Sequence, residues 1–501
     1  MSIRRQSIVS SVVIYIGFFI GLLNTYLFTR KGDFQDSQFG LYNAFIAIAL
    51  MMMAFSTIAM PSYIYKFYPY YKDHLPDKKN DQVTLALATG TIGFLLVIIA
   101  GIIFKGLIIK KYGTNAPEIV TYYSWIFPLG FGMMIYSILE AYTWQLHKSV
   151  LTNFLKEVLW RLFITVIIIL FIRGLIGNFE LFIKIFAFSY LFIALALFCY
   201  LAFTKKIHFT FKISKVTRRF SKSILKLCSF VYAGALIFTI SQVFDSLVIG
   251  SVLDDALAKL AIYSVAQSIA SVIQVPQRGI IGASIAHLSK AWKDKNLKLI
   301  QRIYQRSSIN QLIFSCAFFS LIVLNFTDAL TTFQLKGSYL AAWYVLILLG
   351  LTKIVDMGTG VNAQIIGTST YWRFEMLSGI ILLLLMLPLT YILTKRFDII
   401  GTGAANLISI SIYNMIRIIF LWKKFRLFPF TMQTGYTVLL TAVCYCVCYF
   451  LFINIHGWTG LFLRSIAFLG LYIPGVIYFK LSPDIQPVIQ TITKRLGLKK
   501  N

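Results

Sequence analysis

Six polar residues recur in an otherwise apolar stretch from Ala261 to Ile281: Ser264, Gln267, Ser268, Ser271, Gln274 and Arg278. Their steps of 3, 1, 3, 3 and 4 put them on one stripe of a 3.6-residue helix, with Ile, Val and Ala on the other faces. A helix facing lipid all round gains nothing from such a stripe, so the stripe belongs against protein or water. Hydroxyls and amides ending in a guanidinium suit an anionic, hydroxylated ligand, because Arg grips phosphate oxygens through two parallel N–H bonds. Arg278 has no carboxylate three or four residues away, which makes it the leading candidate for that grip. The plain alternative is that it snorkels to the cytoplasmic interface.

Other apolar stretches also carry groups that are costly in a bilayer. A charge at the bilayer centre costs about 2.5–3.5 kcal/mol on insertion scales and marks a functional hypothesis. Ser137, Glu140, Trp144 and His147 share one helix face, and Lys156, Glu157 and Arg161 open the next helix. Gln242, Asp245 and Ser246 follow, then Lys353, Asp356 and Gln364, then Asn406, Tyr413 and Arg417. We take Arg278, Lys353, Arg161 and Arg417 as candidate cations for an anionic substrate. Ser264, Gln267, Ser268, Ser271, Gln274, Glu140, Gln242 and Asn406 are candidate polar lining. Asp245 and Asp356 suit gating, by pairing with those cations in one conformation, or the binding of a coupling ion, H+ or Na+. Each has a structural alternative. Glu157 with Arg161 and Lys353 with Asp356 have helical pair spacing, and Arg417 and Arg464 have snorkelling positions.

These groups must be positioned by membrane helices. The chain has 501 residues, 58% hydrophobic and 13% charged, where a soluble domain has about 25% charged. A spanning helix needs roughly 20 apolar residues. Fourteen such runs lie at about 7–28, 38–60, 83–104, 119–146, 151–173, 179–203, 224–250, 256–285, 307–327, 338–362, 373–394, 399–420, 433–454 and 460–480. The expected class is an all-α polytopic membrane protein with about 14 transmembrane helices. The first run is too long for a signal sequence and lacks a small-residue cleavage site. The net charge of +29 is concentrated in alternate loops: 61–82, 204–222, 286–306, Lys423 to Arg426, and the tail with Lys494, Arg495, Lys499 and Lys500. That bias places both termini in the cytoplasm and argues against a nucleic-acid partner. Membrane lipids are the natural partner of the basic linker. The six cysteines lie in apolar runs and the five histidines are scattered, so no metal or other cofactor is expected. The short loops hold no carboxylate-bearing domain for an enzyme.

The two halves look related. Phe39–Ala49 resembles Leu260–Ala270, which sets Tyr42 against Tyr263, and Tyr71-Lys72-Asp73 corresponds to Trp292-Lys293-Asp294, both 221 residues apart. Gln145 and Gln364 lie 219 apart, and Trp125 and Trp343 lie 218 apart. A duplicated unit of six helices enters the membrane twice in the same sense, giving parallel repeats with a site at their interface. The expected organisation is a six-helix lobe at 1–203, a basic cytoplasmic linker at 204–222, a second six-helix lobe at 223–426, and an appended helix pair with a basic tail at 427–501.

Four features resemble the oligosaccharide flippases, the polysaccharide-transporter branch of the multidrug/oligosaccharidyl-lipid/polysaccharide exporter superfamily. They are Phe39-Gly40-Leu41-Tyr42-Asn43-Ala44, Asp245 followed by Ile249-Gly250 and then by Ala261 to Ala266, Gly401-Thr402-Gly403-Ala404-Ala405, and the six-plus-six-plus-two helix count with a basic mid-linker. Ala261 departs from the glycine often found there. The resemblance implies alternating access by two lobes around a cationic central cavity. It implies a cargo of undecaprenyl-diphosphate-linked oligosaccharide, moved to the periplasmic leaflet of a bacterial inner membrane for O-antigen or capsule synthesis. A multidrug or cation antiporter of the same superfamily and a lipid II flippase stand as alternatives.

Overall fold

The computed structural model describes residues 3–484, apart from the side chains at 3–8, 11, 278, 279, 282, 283 and 286. Of the candidate residues, the side chain of Arg278 lies outside the described residues, as does the basic tail with Lys494, Arg495, Lys499 and Lys500. Among the described residues every extended element is helical. Two compact units are formed, Met1–Ala261 and Ile262–Asn501.

The first unit holds α1 (Ile3–Thr29), α2 (Asp36–Thr57), α3 (Met60–His74), α4 (Gln82–Ile103), α5 (Lys105–Tyr112), α6 (Pro117–Thr121), α7 (Ile126–Gln145) and α8 (Ser149–Asn153). A π-helical segment, Phe154–Leu159, joins α8 to α9 (Trp160–Ile172). α10 (Phe179–Ala187), α11 (Ser189–Phe203) and α12 (Lys215–Val252) follow. α13 (Ala256–Ile273) carries the boundary. The second unit continues with α14 (Val275–Lys293), α15 (Leu297–Thr332), α16 (Ala342–Gly358), α17 (Asn362–Gly367), α18 (Trp372–Phe425), α19 (Met432–Leu451) and α20 (Gly457–Tyr478).

Twelve stretches among the described residues are long and apolar enough to cross a membrane. α18 is two of the expected helices joined at Phe397 and Asp398, whose backbone is not helical; the Asp398 carboxylate caps the second by accepting from Ile399 N at 2.6 Å. α8, the π segment and α9 form another continuous rod, so each of the fourteen expected runs corresponds to helix. This is a multi-pass membrane fold. In hydrocarbon the helix is the form that satisfies every backbone N–H and C=O within one segment.

Several boundaries differ from the apolar runs. The single helix expected at 256–285 breaks at Gln274, because Pro276 starts α14 and cannot donate to the preceding turn. α2 and α3 break in the same way at Ile58 and Ala59, with Pro61 in the first turn of α3. The last eight residues of the basic linker are the first turns of α12, and most of the 286–306 stretch belongs to α14 and α15. Polar residues extend these helices beyond their apolar runs, since helix formation does not require apolarity once the segment leaves the bilayer.

The rest of the linker is fastened to the first unit. Ser214 N and Thr217 Oγ1 donate to Asp81 Oδ2 at 2.9 and 2.7 Å, and the Tyr71 hydroxyl meets Thr217 Oγ1 at 2.6 Å. Tyr63 continues the chain at 2.7 Å from Tyr71. Thr217→Val keeps the shape but removes one of the two donors to Asp81 Oδ2 and one of the two partners of the Tyr71 hydroxyl, a loss of two hydrogen bonds that costs about 1–3 kcal/mol. Thermal unfolding of the purified protein, compared with Ser221→Ala on the same helix, is the check. Equal melting temperatures for the two variants would show that the linker is not held by this contact.

The appended pair α19 and α20 packs on α15 through Leu324, Cys444, Cys448, Phe468 and Tyr472. Arg464 of α20 does not simply reach for the interface. It pairs with Asp328 of α15 and donates to the Leu324 and Ile455 carbonyls at 2.7 and 3.0 Å.

Candidate functional site

In the second unit Asp356 of α16 gathers polar groups from helices distant in sequence. Its Oδ2 accepts from Gln274 and Gln277 at 3.0 and 3.2 Å, and its Oδ1 from Asn414 of α18 at 3.3 Å. Asn414 Oδ1 accepts in turn from Thr359 and from Asn362 of α17, at 3.0 and 2.8 Å. The break at Gln274 is what brings one amide of the sequence stripe, Gln274, and the neighbouring amide of Gln277 to one carboxylate. Three neutral dipoles solvate that carboxylate where water is scarce.

One turn along α18, Arg417 is buried and pairs with Glu375 at the start of the same element. Its Nε lies 3.3 Å from Ser378 Oγ, and its guanidinium carbon sits 3.8 Å from the centroid of the Tyr413 ring. The snorkelling alternative for Arg417 therefore fails, because its charge is matched in place by Glu375. Asn406 donates to the Tyr263 hydroxyl at 3.3 Å, and Lys353 is half-buried on α16.

The first unit has its own charged group. Arg161 forms the i,i+4 pair with Glu157 at 2.8 Å and donates to the Gly17 carbonyl of α1 at 2.5 Å. Gly17 allows this approach, since a Cβ there would lie 2.3 Å from the Glu157 carbonyl oxygen. The π segment carries both Lys156 and Glu157; extra-wide turns of this kind are frequent at functional sites. Lys156 lies 3.7 Å from Glu140.

The structure thus brings Gln274 and Asp356 together and places Asn406 against Tyr263. Ser264 is buried, Ser268 is half-buried, and Gln267 and Ser271 are exposed, so the stripe mixes packed and open positions. On α12 Gln242 is exposed and Asp245 is buried. Neither Arg161 nor Arg417 is a free cation: both guanidiniums are matched by a carboxylate of their own unit. Glu375, Gln277 and Asn414 are participants that the sequence reading missed. Asn414 lies eight residues after Asn406 on one face of the same helix, a signal that was present.

No family model matches the chain, and no curated protein matches it. Solved structures do. The lipid II flippase MurJ, in an inward closed conformation, superposes with a TM-score of 0.73 over 94% of this chain and 99% of its own, at 16% identity. A multidrug resistance MATE family transporter of the MOP superfamily, inward-facing, gives 0.62 over 83% and 98%, at 14% identity. An outward-facing MATE family transporter gives 0.51 over 84% and 95%, at 16% identity. The chain shares the fold of these transporters. Fold does not by itself carry function, which must be argued from the site.

Proposed function

We propose that this protein is a flippase for an undecaprenyl-diphosphate-linked oligosaccharide, moving it from the cytoplasmic to the periplasmic leaflet of a bacterial inner membrane by alternating access. The observation that carries this reading is the extent of the MurJ likeness. A match covering 94% of the chain has no room to omit both α19 (20 residues) and α20 (22 residues). The MATE match at 83% does have that room. The likeness to the flippase therefore extends over more of the chain than the likeness to the antiporter.

In this reading the chain is organised as six-helix lobes at 1–203 and 223–426, the linker 204–222 stays on the cytoplasmic side with both termini, and 427–501 is appended. Arg278 and Lys353 grip the diphosphate. Arg161 and Arg417 each brace helices of their own unit, through Glu157 and Glu375. Asp356, solvated by amides, is the position for a coupling ion, and Asp245 for gating. The stripe of Ser264, Gln267, Ser268 and Ser271 offers hydroxyls and an amide to the glycan. Surface-polysaccharide synthesis, as O-antigen or capsule, is the pathway class this cargo serves. The second reading, a multidrug or cation antiporter, draws on the MATE likeness.

A deletion strain separates the two. Completed lipid-linked oligosaccharide is expected to accumulate facing the cytoplasm. A plasmid copy of the wild type should relieve it, and Arg278→Ala should not. Unchanged oligosaccharide in the deletion strain, together with altered drug tolerance, would favour the antiporter.

A further inference from the structure

One face of the first unit joins aromatic rings to charge. Glu140 and Trp144 are one turn apart on α7, and Thr152 and Lys156 are one turn apart on the rod that begins at α8. The two turns are cross-linked twice. Trp144 Nε1 donates to Thr152 Oγ1 at 2.8 Å, and Lys156 Nζ lies 3.7 Å from Glu140 Oε2. Tyr65 of α3 stacks on Trp144, with ring centroids 6.0 Å apart and planes inclined by 29°. Burial, with the Glu140 carboxylate adding to it, pushes the Tyr65 phenol up to about 12, so it is a neutral hydroxyl. The face is nevertheless open. Tyr65 is 39% exposed and Trp144 42%, and the Lys156 side chain is 42% exposed.

Exposed Trp and Tyr in a membrane protein ordinarily form a belt at the lipid interface. This pair is continuous with a carboxylate and an ammonium, and neither is stable against hydrocarbon. The face therefore borders water or cargo. A flat stacked pair of rings beside one hydrogen-bond acceptor and one donor is complementary to a pyranose, whose C–H face lies on a ring while its hydroxyls donate to the carboxylate and accept from the ammonium. An organic cation also favours rings and a carboxylate. Here Lys156 already neutralises Glu140 and repels such a ligand.

We infer that Tyr65, Trp144, Glu140 and Lys156 form a sugar-ring subsite within the first unit. This rests on the flippase reading and adds to it a place where the glycan, rather than the diphosphate, is held. The π segment sets the phase of Lys156 against Glu140, and Thr152 fixes the edge of the Trp144 indole. The cargo is thus recognised by its first sugars as well as by its charge.

The test is equilibrium binding to the full-length protein in lipid nanodiscs. The probes are farnesyl diphosphate, and farnesyl diphosphate bearing one glucose, galactose or N-acetylglucosamine. Wild type is expected to bind at least one glycosylated probe about tenfold more tightly than the bare one. Tyr65→Ala and Lys156→Gln should remove that gain and leave binding of the bare probe unchanged, and Tyr65→Ala should also keep the melting temperature. Tyr65→Ala removes a half-exposed ring, so folding is not at stake. No gain from any of the three sugars in wild type, or a gain that survives both variants, overturns the subsite. Binding of tetraphenylphosphonium that is lost in the same variants also overturns it, in favour of an organic cation. If wild type binds no farnesyl compound at all, the flippase reading fails first and the subsite falls with it.

Discussion

Arg417→Met should destabilise the protein by about 3 kcal/mol, the lower end of what is seen when one partner of a buried ion pair is removed. The side chain of Arg417 is 5% exposed and that of Glu375 31%, so the stranded carboxylate regains some water but not all. Ser378 Oγ loses a donor at the same time, and the Tyr413 ring loses the cation stacked on it. Glu375→Gln in the same background removes the stranded charge. The double variant should therefore be more stable than Arg417→Met alone, with a coupling of about 1–3 kcal/mol across the cycle. Thermal unfolding of the four proteins in one detergent measures it. Additive effects would mean that the pair is not a unit, and the brace assigned to Arg417 would have to be withdrawn.

Gly40→Ala is expected to have an effect at least as large. A Cβ at this position would lie 1.8 Å from the Leu257 carbonyl oxygen and 2.9 Å from its Cα, so the obstacle is the backbone of α13. No rotamer change relieves it. α2 and α13 must separate, and overpacking of this kind costs about 1–3 kcal/mol or more. The yield of monodisperse protein should fall sharply. Gly435→Ala is the matched control, since nothing lies within 4 Å of a Cβ there and Ala is the better helix former. Its stability should be unchanged or slightly higher. If Gly40→Ala and Gly435→Ala express and melt alike, the close approach of these two helices is not real.

Gly40 also shows how far the sequence could be read. Its motif is visible among the first fifty residues, yet its reason is the Leu257 carbonyl, which no local pattern predicts. The helix runs were legible because apolarity over the length of a bilayer is a strong, local signal. The ends were not, because polar turns such as Lys215 to Lys222 remain helical outside the apolar run. The stripe at 264–278 was legible from period alone. That Gln274 and Gln277 share Asp356 depends on a break at Pro276, and Pro in a first turn can continue a helix as easily as redirect it. Glu375 and Arg417 stand 42 residues apart on the two arms of α18, so nothing in their spacing announces a pair. Lys156 and Glu140 were each visible, but their meeting depends on the wide turn of the π segment.

The most direct measurement is transport by the purified protein in liposomes. A polyprenyl-diphosphate oligosaccharide is placed in the outer leaflet, and its loss from a glycosidase that cannot cross the membrane is followed over time. Wild type should protect the glycan at a rate well above protein-free liposomes, and Arg278→Ala should fall to background while remaining folded. A glycan that stays fully accessible, in liposomes where the same protein moves tetraphenylphosphonium against a proton or sodium gradient, would contradict the flippase and establish the antiporter.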